Sequence, residues 1–385
     1  CYIEHTATVI CRKEQVKMAE LAKLAYLVKP GEFEFREYPI PEIDDDQILI
    51  KVEGCGVCGT DGHEYKRDPF NLCPVVLGHE GSGEIVKLGK NIKTDSAGKP
   101  VKIGDKLVTC IIPCGKCPAC KNTPARTNLC ESCGVYGLFP DDEVHLNGYF
   151  ASHMVIRKGS TFFNVTGMSL DQRMLIEPAA VAVHAVERAK TTGLLKFNTI
   201  CLIQGCGPIG LMVMSVLRTM GIENIIALDG NDNRLEIAKT LGASHCFNFT
   251  KFASTDDLIK EVKAVTDGLG AEFTFQCTGV PAAHATAWKT VRRGGGLCEV
   301  GFFLDGGNAS INPHYDLCNK EVAAVGSWVY TPQDYPTTFD FLRRAKGIGL
   351  PVEKFVTHHF PLSQIKEALE TNVQMKGIKV AVVAD

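Results

Sequence analysis

The segment Gly205-Cys206-Gly207-Pro208-Ile209-Gly210 falls between an apolar run, Thr199–Gln204, and a helical pattern, Ile209–Met220. Glycines at this spacing permit a tight turn and let a phosphate reach backbone N–H groups at a helix N-terminus. The same rhythm then repeats. Asn224–Leu228 reads as a strand, Asn233–Leu241 and Asp256–Val265 as helices, Glu272–Gln276 as a strand, Ala282–Val291 as a helix and Leu297–Gly301 as a strand. Such alternation builds a doubly wound parallel sheet with helices on both faces, an α/β domain over residues 191–326. Asp229 closes the second strand. Its carboxylate suits the ribose hydroxyls of a dinucleotide and repels a 2′-phosphate, which predicts NAD over NADP. Arg234, further along, could cover the adenine or meet a phosphate. Gly205, Gly207, Pro208, Ile209, Gly210, Asp229 and Arg234 are therefore the expected cofactor-binding residues.

Upstream, Cys55-Gly-Val-Cys58-Gly-Thr60-Asp61-Gly-His63 is followed by Gly78-His79-Glu80 and, much later, by Glu177-Pro178. Thiolate, imidazole and carboxylate are the ligand types Zn²⁺ accepts, and a scattered mixed set suits a catalytic ion with one position open. Cys58 and His79 are the expected ligands. Glu80 and Glu177 both qualify as the third, one binding directly while the other faces the zinc-held water. Asp61 fits the imidazole's second N–H. Separately, Cys114-x-x-Cys117-x-x-Cys120 followed by Cys130 offers four closely spaced thiolates, a closed structural zinc site, with Cys110 and Cys133 as alternatives for an end ligand.

Six of the 17 cysteines lie between Cys110 and Cys133, and others sit inside apolar runs, which indicates metal ligands and reduced core thiols in a cytoplasmic protein rather than a disulfide framework. At 385 residues the chain has room for two domains. A net charge of −3 without any dense Lys/Arg run gives no reason to expect nucleic acid. Asn198–Leu217 carries no charge until Arg218, but its central glycines break any spanning helix, so a strand, a turn and a buried helix are expected there and no membrane segment. Residues 1–17 show neither a signal-peptide core nor a regular pattern and read as a tag or disordered extension.

From Met18 to Phe163 the texture is β-rich, with strands expected at Lys23–Val28, Gln47–Val52, Gly83–Leu88 and Lys106–Cys110, and the tail holds a helical Leu362–Glu370 and a last strand, Ile378–Val383. Together with Gly104-Asp105-Lys-Leu-Val108 and Lys376-Gly377-Ile-Lys379, these motifs resemble the zinc-dependent medium-chain alcohol dehydrogenases, nearest to the polyol and secondary-alcohol branch. The resemblance covers nearly everything after Met18. It implies a GroES-like catalytic domain made from residues 18–190 and 327–385, with a structural zinc lobe at 110–133 and the Rossmann domain inserted between them. The two ligand sets, open Cys/His/Glu and closed Cys₄, predict two zinc ions per chain; a small-molecule alcohol or ketone as partner and a homo-oligomer, dimer or tetramer, are expected with them. Two departures stand out: a long gap from Cys120 to Cys130 and an enlarged loop, Leu138–Asn147.

In the implied reaction zinc lowers the pKa of a bound alcohol. The proton leaves through Thr60 and the nicotinamide ribose to His63, and a hydride passes to NAD. Cys58, Thr60, His63, His79, Glu80 and Glu177 are thus the expected catalytic residues. Glu177, where ethanol-type enzymes offer a cysteine, favours a secondary hydroxyl on a polyol, cyclitol, diol or bulkier alicyclic alcohol over a primary one. An L-threonine-type amino-alcohol dehydrogenase and a non-catalytic zinc protein of the same fold are the alternatives.

Overall fold

The computed structural model describes residues 20–385, and the extension expected over residues 1–17 lies outside them. The described residues open with an antiparallel pair, β1 (Leu21–Lys29) and β2 (Glu32–Pro39). Then come β3 (Ile48–Val57), α1 (Gly59–Arg67), β4 (Glu80–Leu88), β5 (Lys106–Thr109), a short α2 (Pro118–Asn122), β6 (His153–Ile156) and β7 (Phe162–Asn164). Two helices, α3 (Leu170–Met174) and α4 (Ile176–Lys190), lead to the strand–helix region.

That region contains β8 (Cys201–Gln204), α5 (Pro208–Thr219), β9 (Ile225–Asp229), α6 (Asp232–Thr240), β10 (His245–Asn248), α7 (Thr255–Ala264), β11 (Ala271–Gln276), α8 (Pro281–Thr290), β12 (Val291–Glu299) and β13 (Ala323–Gly326). Its strands form one parallel sheet in the order β10-β9-β8-β11-β12-β13. The order reverses between β8 and β11, which opens a crevice at their carboxyl ends. The uncharged stretch around Gly205 is indeed strand, turn and buried helix. Among the described residues no helix is long and apolar enough to cross a membrane.

The tail supplies α9 (Asp334–Gly347), β14 (Val356–Pro361), α10 (Ile365–Val373) and β15 (Lys379–Val383). β15 pairs antiparallel with β3, Val380 opposite Val57, so the C-terminal strand completes the sheet β14-β15-β3-β4-β5-β7 begun more than three hundred residues earlier. This closure brings Lys379 beside the loop that carries Cys58.

Two helices pack differently from what the sequence boundaries suggest. α4 and α9 fall within 18–190 and 327–385, yet both pack on α5 and share the core of the parallel sheet, through Ala182, Val186, Tyr335 and Leu342. Rhythm along the chain locates strands and helices, but not which sheet a flanking helix covers. The edge strands β10 and β13 are only four residues each, His-Cys-Phe-Asn and Ala-Ala-Val-Gly, too short and too weakly β-forming to register as strands in the sequence.

Candidate active site at the junction of the two sheets

α1 starts where it does because Cys58 is extended and Asp61 caps it: the Cys58 N–H donates to Asp61 Oδ2 at 2.8 Å. β3 and β4 run antiparallel with Gly56 opposite Glu80, so the residues just past this pair, Cys58 and His79, emerge side by side. Cys58 Sγ, an imidazole nitrogen of His79 and a carboxylate oxygen of Glu80 lie within 4.8 Å of one another. Asp61, wholly buried, places Oδ1 3.4 Å from His79 Nδ1, which leaves Nε2 for the cluster. Burial opposes a charged His79, but Asp61 and Cys58 push its pKa well above the ordinary value. Three negative or electron-rich donors around a buried imidazole, with no other close partner for Nδ1, suit a divalent cation of the zinc type.

Glu80 is not free of other partners. Both its oxygens accept from Lys379 Nζ at 2.6 Å, and Lys379 also donates to the Val57 carbonyl at 3.3 Å. Glu177, half-buried in the first turn of α4, stands close enough to feel His79, Glu80 and Lys379. Burial, with the Glu80 charge, pushes its carboxyl up to about 7; His79 and Lys379 pull it down, as does the Tyr330 hydroxyl. Glu80, not Glu177, is the carboxylate grouped with Cys58 and His79. Thr60 is buried, its Oγ1 3.6 Å from Cys58 Sγ. His63 is half-buried further along α1, where burial lowers its pKa, and among the described residues no hydrogen bond joins it to Thr60.

The sulfur lobe gathers Cys114, Cys117, Cys120 and Cys130, all within 4.8 Å. The Cys114 N–H points at Cys130 Sγ (3.3 Å) and the Cys117 N–H at Cys114 Sγ (3.4 Å). Cys130 thus joins the set despite its long spacing. Cys110 lies buried at the end of β5, and Cys133 stays outside the group with its thiol pushed up to about 11 by burial. The cysteines among the described residues form no disulfide.

In the crevice of the parallel sheet, Gly205 has φ +91° and a Cβ on Gly210 would meet the Gly205 carbonyl oxygen at 1.8 Å, so both positions need glycine. Gly207 caps α5, with Pro208 and Ile209 in its first turn. A cavity of about 800 Å³ opens there, lined by Gly205, Gly207, Asp229, Arg234 and Thr278 among others. Asp229 is buried, accepting from the Cys206 N–H at 2.7 Å and the Asn231 N–H at 2.8 Å. Arg234 leans over the turn, its Nη1 being the one atom near the Gly207 Cβ direction, at 3.9 Å. The residues to which sequence reasoning gave no role in the site are Lys379, noted only within a family motif, and Tyr330. A lysine opening the apolar run Lys379–Val383 was the available signal for the first.

Residues 44–165 match the alcohol dehydrogenase GroES-like domain, and residues 208–344 match the zinc-binding dehydrogenase domain. The chain is 32% identical to a sorbitol dehydrogenase of Bacillus subtilis over 92% of its own length and 94% of the relative's. It is 30% identical to an L-threonine 3-dehydrogenase of Bacillus licheniformis, over 90% of its own length and 94% of the relative's. Among solved structures, an alcohol dehydrogenase from Thermotoga maritima superposes with a TM-score of 0.87 at 28% identity, covering 95% of this chain and 100% of that one. A 2R,3R-butanediol dehydrogenase from Bacillus subtilis gives 0.78 at 27% identity, covering 94% and 100%. With a GroES-like half, a Rossmann-type parallel sheet and relatives of this identity along nearly its whole length, the chain belongs to the zinc-type medium-chain alcohol and polyol dehydrogenases, oxidoreductases acting on CH–OH donors.

Proposed function

We propose that this chain oxidises a secondary alcohol to a ketone with NAD, holding one zinc ion at Cys58, His79 and Glu80 and a second at Cys114, Cys117, Cys120 and Cys130. The observation that carries the reading is the Cys58–His79–Glu80 group, its imidazole and carboxylate buried, with Glu177 facing it from α4. When bound there, zinc supplies a Lewis acid for the substrate oxygen and NAD a hydride acceptor. The protein's own part is positional. Asp61 fixes the His79 ring, Lys379 balances the Glu80 charge, and Glu177 offers a carboxylate to the open side. Thr60 Oγ1 is the first stop for the carbinol proton, and His63 passes it towards solvent. Asp229, with two backbone amides already held, keeps the ribose-binding carboxylate in place against a 2′-phosphate. Relatives named for sorbitol and 2R,3R-butanediol support a secondary hydroxyl as the reacting group. The proposal extends to a cytoplasmic homo-oligomer, dimer or tetramer, which light scattering would size.

The test is NADH formation by the purified chain with 2,3-butanediol, sorbitol, cyclohexanol, L-threonine and ethanol. Secondary alcohols should be oxidised far better than ethanol. Glu177→Ala should cripple turnover while NAD affinity, read by calorimetry, stays nearly unchanged. Ethanol as best substrate, or full activity in Glu177→Ala, would overturn the reading; L-threonine as best substrate would replace it with the amino-alcohol alternative.

A further inference from the structure

Three large aromatic side chains touch one another while standing partly in solvent: Phe70 is 40% exposed, Phe303 37% and Trp328 44%. The Phe303 and Trp328 rings stack with centroids 5.1 Å apart and planes 14° apart, and Phe70 meets Phe303 edge-on at 5.9 Å and 82°. They come from three separate parts of the chain. Phe70 follows α1, and its N–H donates to Glu64 Oε1 at 3.3 Å, so it folds back along the helix that Cys58 caps. Glu64 is six positions from Cys58, roughly 9 Å of helix rise. Phe303 lies beyond the carboxyl end of β12, on a loop held to the one after β11, where a Cβ on Gly301 would meet the Thr278 carbonyl oxygen at 1.9 Å. Trp328 follows β13, its carbonyl accepting from Asn128 Nδ2 at 2.7 Å.

Next to Trp328, Val329 has φ +51°, a left-handed backbone that a β-branched residue rarely adopts. The residue beyond it, Tyr330, is buried with its hydroxyl turned to Glu177. One strained residue thus separates a side chain facing the candidate metal site from one stacked on Phe303. Strain of this kind persists where the surroundings over-determine it, and it gathers at ligand-binding segments. An exposed apolar cluster tied by so short a backbone link to a candidate site reads as a binding surface rather than as stray surface residues.

We propose that Phe70, Phe303 and Trp328 form the wall that selects the substrate, a secondary alcohol carrying a hydrocarbon ring, alicyclic or aryl, in preference to an open-chain polyol. The inference rests on the secondary-alcohol reading above. A ring gains stacking contact with these faces. The hydroxyls of an open-chain polyol would lose water against them and find no partner there.

Catalytic efficiency for cyclohexanol and 1-phenylethanol should exceed that for sorbitol by about tenfold or more, the scale of one or two aromatic contacts. Trp328→Ala should remove most of that ratio, chiefly by raising KM for the ring substrates; Trp328→Phe should retain it. A second readout needs no turnover. The chain has 2 tryptophans, Trp288 and Trp328, and Trp288 is buried. In Trp288→Phe, the remaining fluorescence should change saturably when cyclohexanone is titrated into protein holding NAD, and fructose should leave it unmoved. A wild-type preference for sorbitol, no saturable change, or equal losses for cyclohexanol and 2,3-butanediol in Trp328→Ala would overturn this inference and leave the secondary-alcohol reading standing. Failure to oxidise any secondary alcohol would defeat both.

Discussion

Lys379→Met isolates a charge pair that the closing of the first sheet creates. Lys379 is 3% exposed and Glu80 1%, and one ammonium serves both carboxylate oxygens at 2.6 Å. Removing the lysine leaves Glu80 charged, buried and short of its donor. Breaking such a pair from one side costs about 3–5 kcal/mol, a large share of the roughly 5–15 kcal/mol that stabilises a folded protein. At a urea dependence of about 3 kcal/mol per molar, the unfolding midpoint should fall by roughly 1 M or more. The loss should be greatest after dialysis against a chelator, because a bound zinc ion would itself balance part of the Glu80 charge. The double variant Lys379→Met with Glu80→Gln exchanges the ion for a neutral amide and should recover at least half of the lost midpoint. A single variant within a few tenths molar of wild type, or a double variant no better than the single, would refute the reasoning.

Elemental analysis of protein purified without chelator should find two zinc ions per chain. Cys58→Ala should lose one with folding intact, whereas Cys117→Ala should lose the other and chiefly lower stability. Catalytic efficiency with NAD should exceed that with NADP by roughly a hundredfold or more on the proposed reading, in which the Asp229 carboxylate lining the crevice cavity would repel a 2′-phosphate, and Asp229→Gly should narrow the gap; equal efficiencies in wild type would refute the assignment. Glu64 is fully buried on α1, where burial first and then Asp68 and Asp61 push its carboxyl up to about 8. Its folded-state pKa lies above the ordinary carboxylate value, so its contribution is complete below about 4.5 and is lost as pH rises towards 8, at up to about 1.4 kcal/mol per pH unit. Glu64→Gln should flatten that part of the stability–pH curve, and an unchanged slope in urea titrations would count against it.

The parallel sheet was readable because its signals are local. A strand, Gly205-x-Gly207-x-x-Gly210, a helix and a closing Asp229 lie within thirty residues, and each glycine has its own steric reason. The four sulfurs were readable for the same cause, though the Cys120–Cys130 spacing hid how firmly Cys130 belongs. Local pattern loses its reach where the chain returns on itself. Lys379 meets Glu80 because β15 pairs with β3, and nothing in the run Lys379–Val383 says which strand it will join. The choice between Glu80 and Glu177 has the same character. Both follow motif residues closely, but only strand register puts Glu80 beside Cys58, and only the placement of α4 on the second sheet's core brings Glu177 opposite. The aromatic wall is the extreme case. Phe70, Phe303 and Trp328 look like unremarkable loop residues one at a time, and become a surface only when two sheets and three connections are in place. Cofactor and metal chemistry can therefore be carried by short motifs, because their ligands demand fixed local geometry. Substrate choice rests on side chains that converge across sequence, and those contacts are long-range by construction.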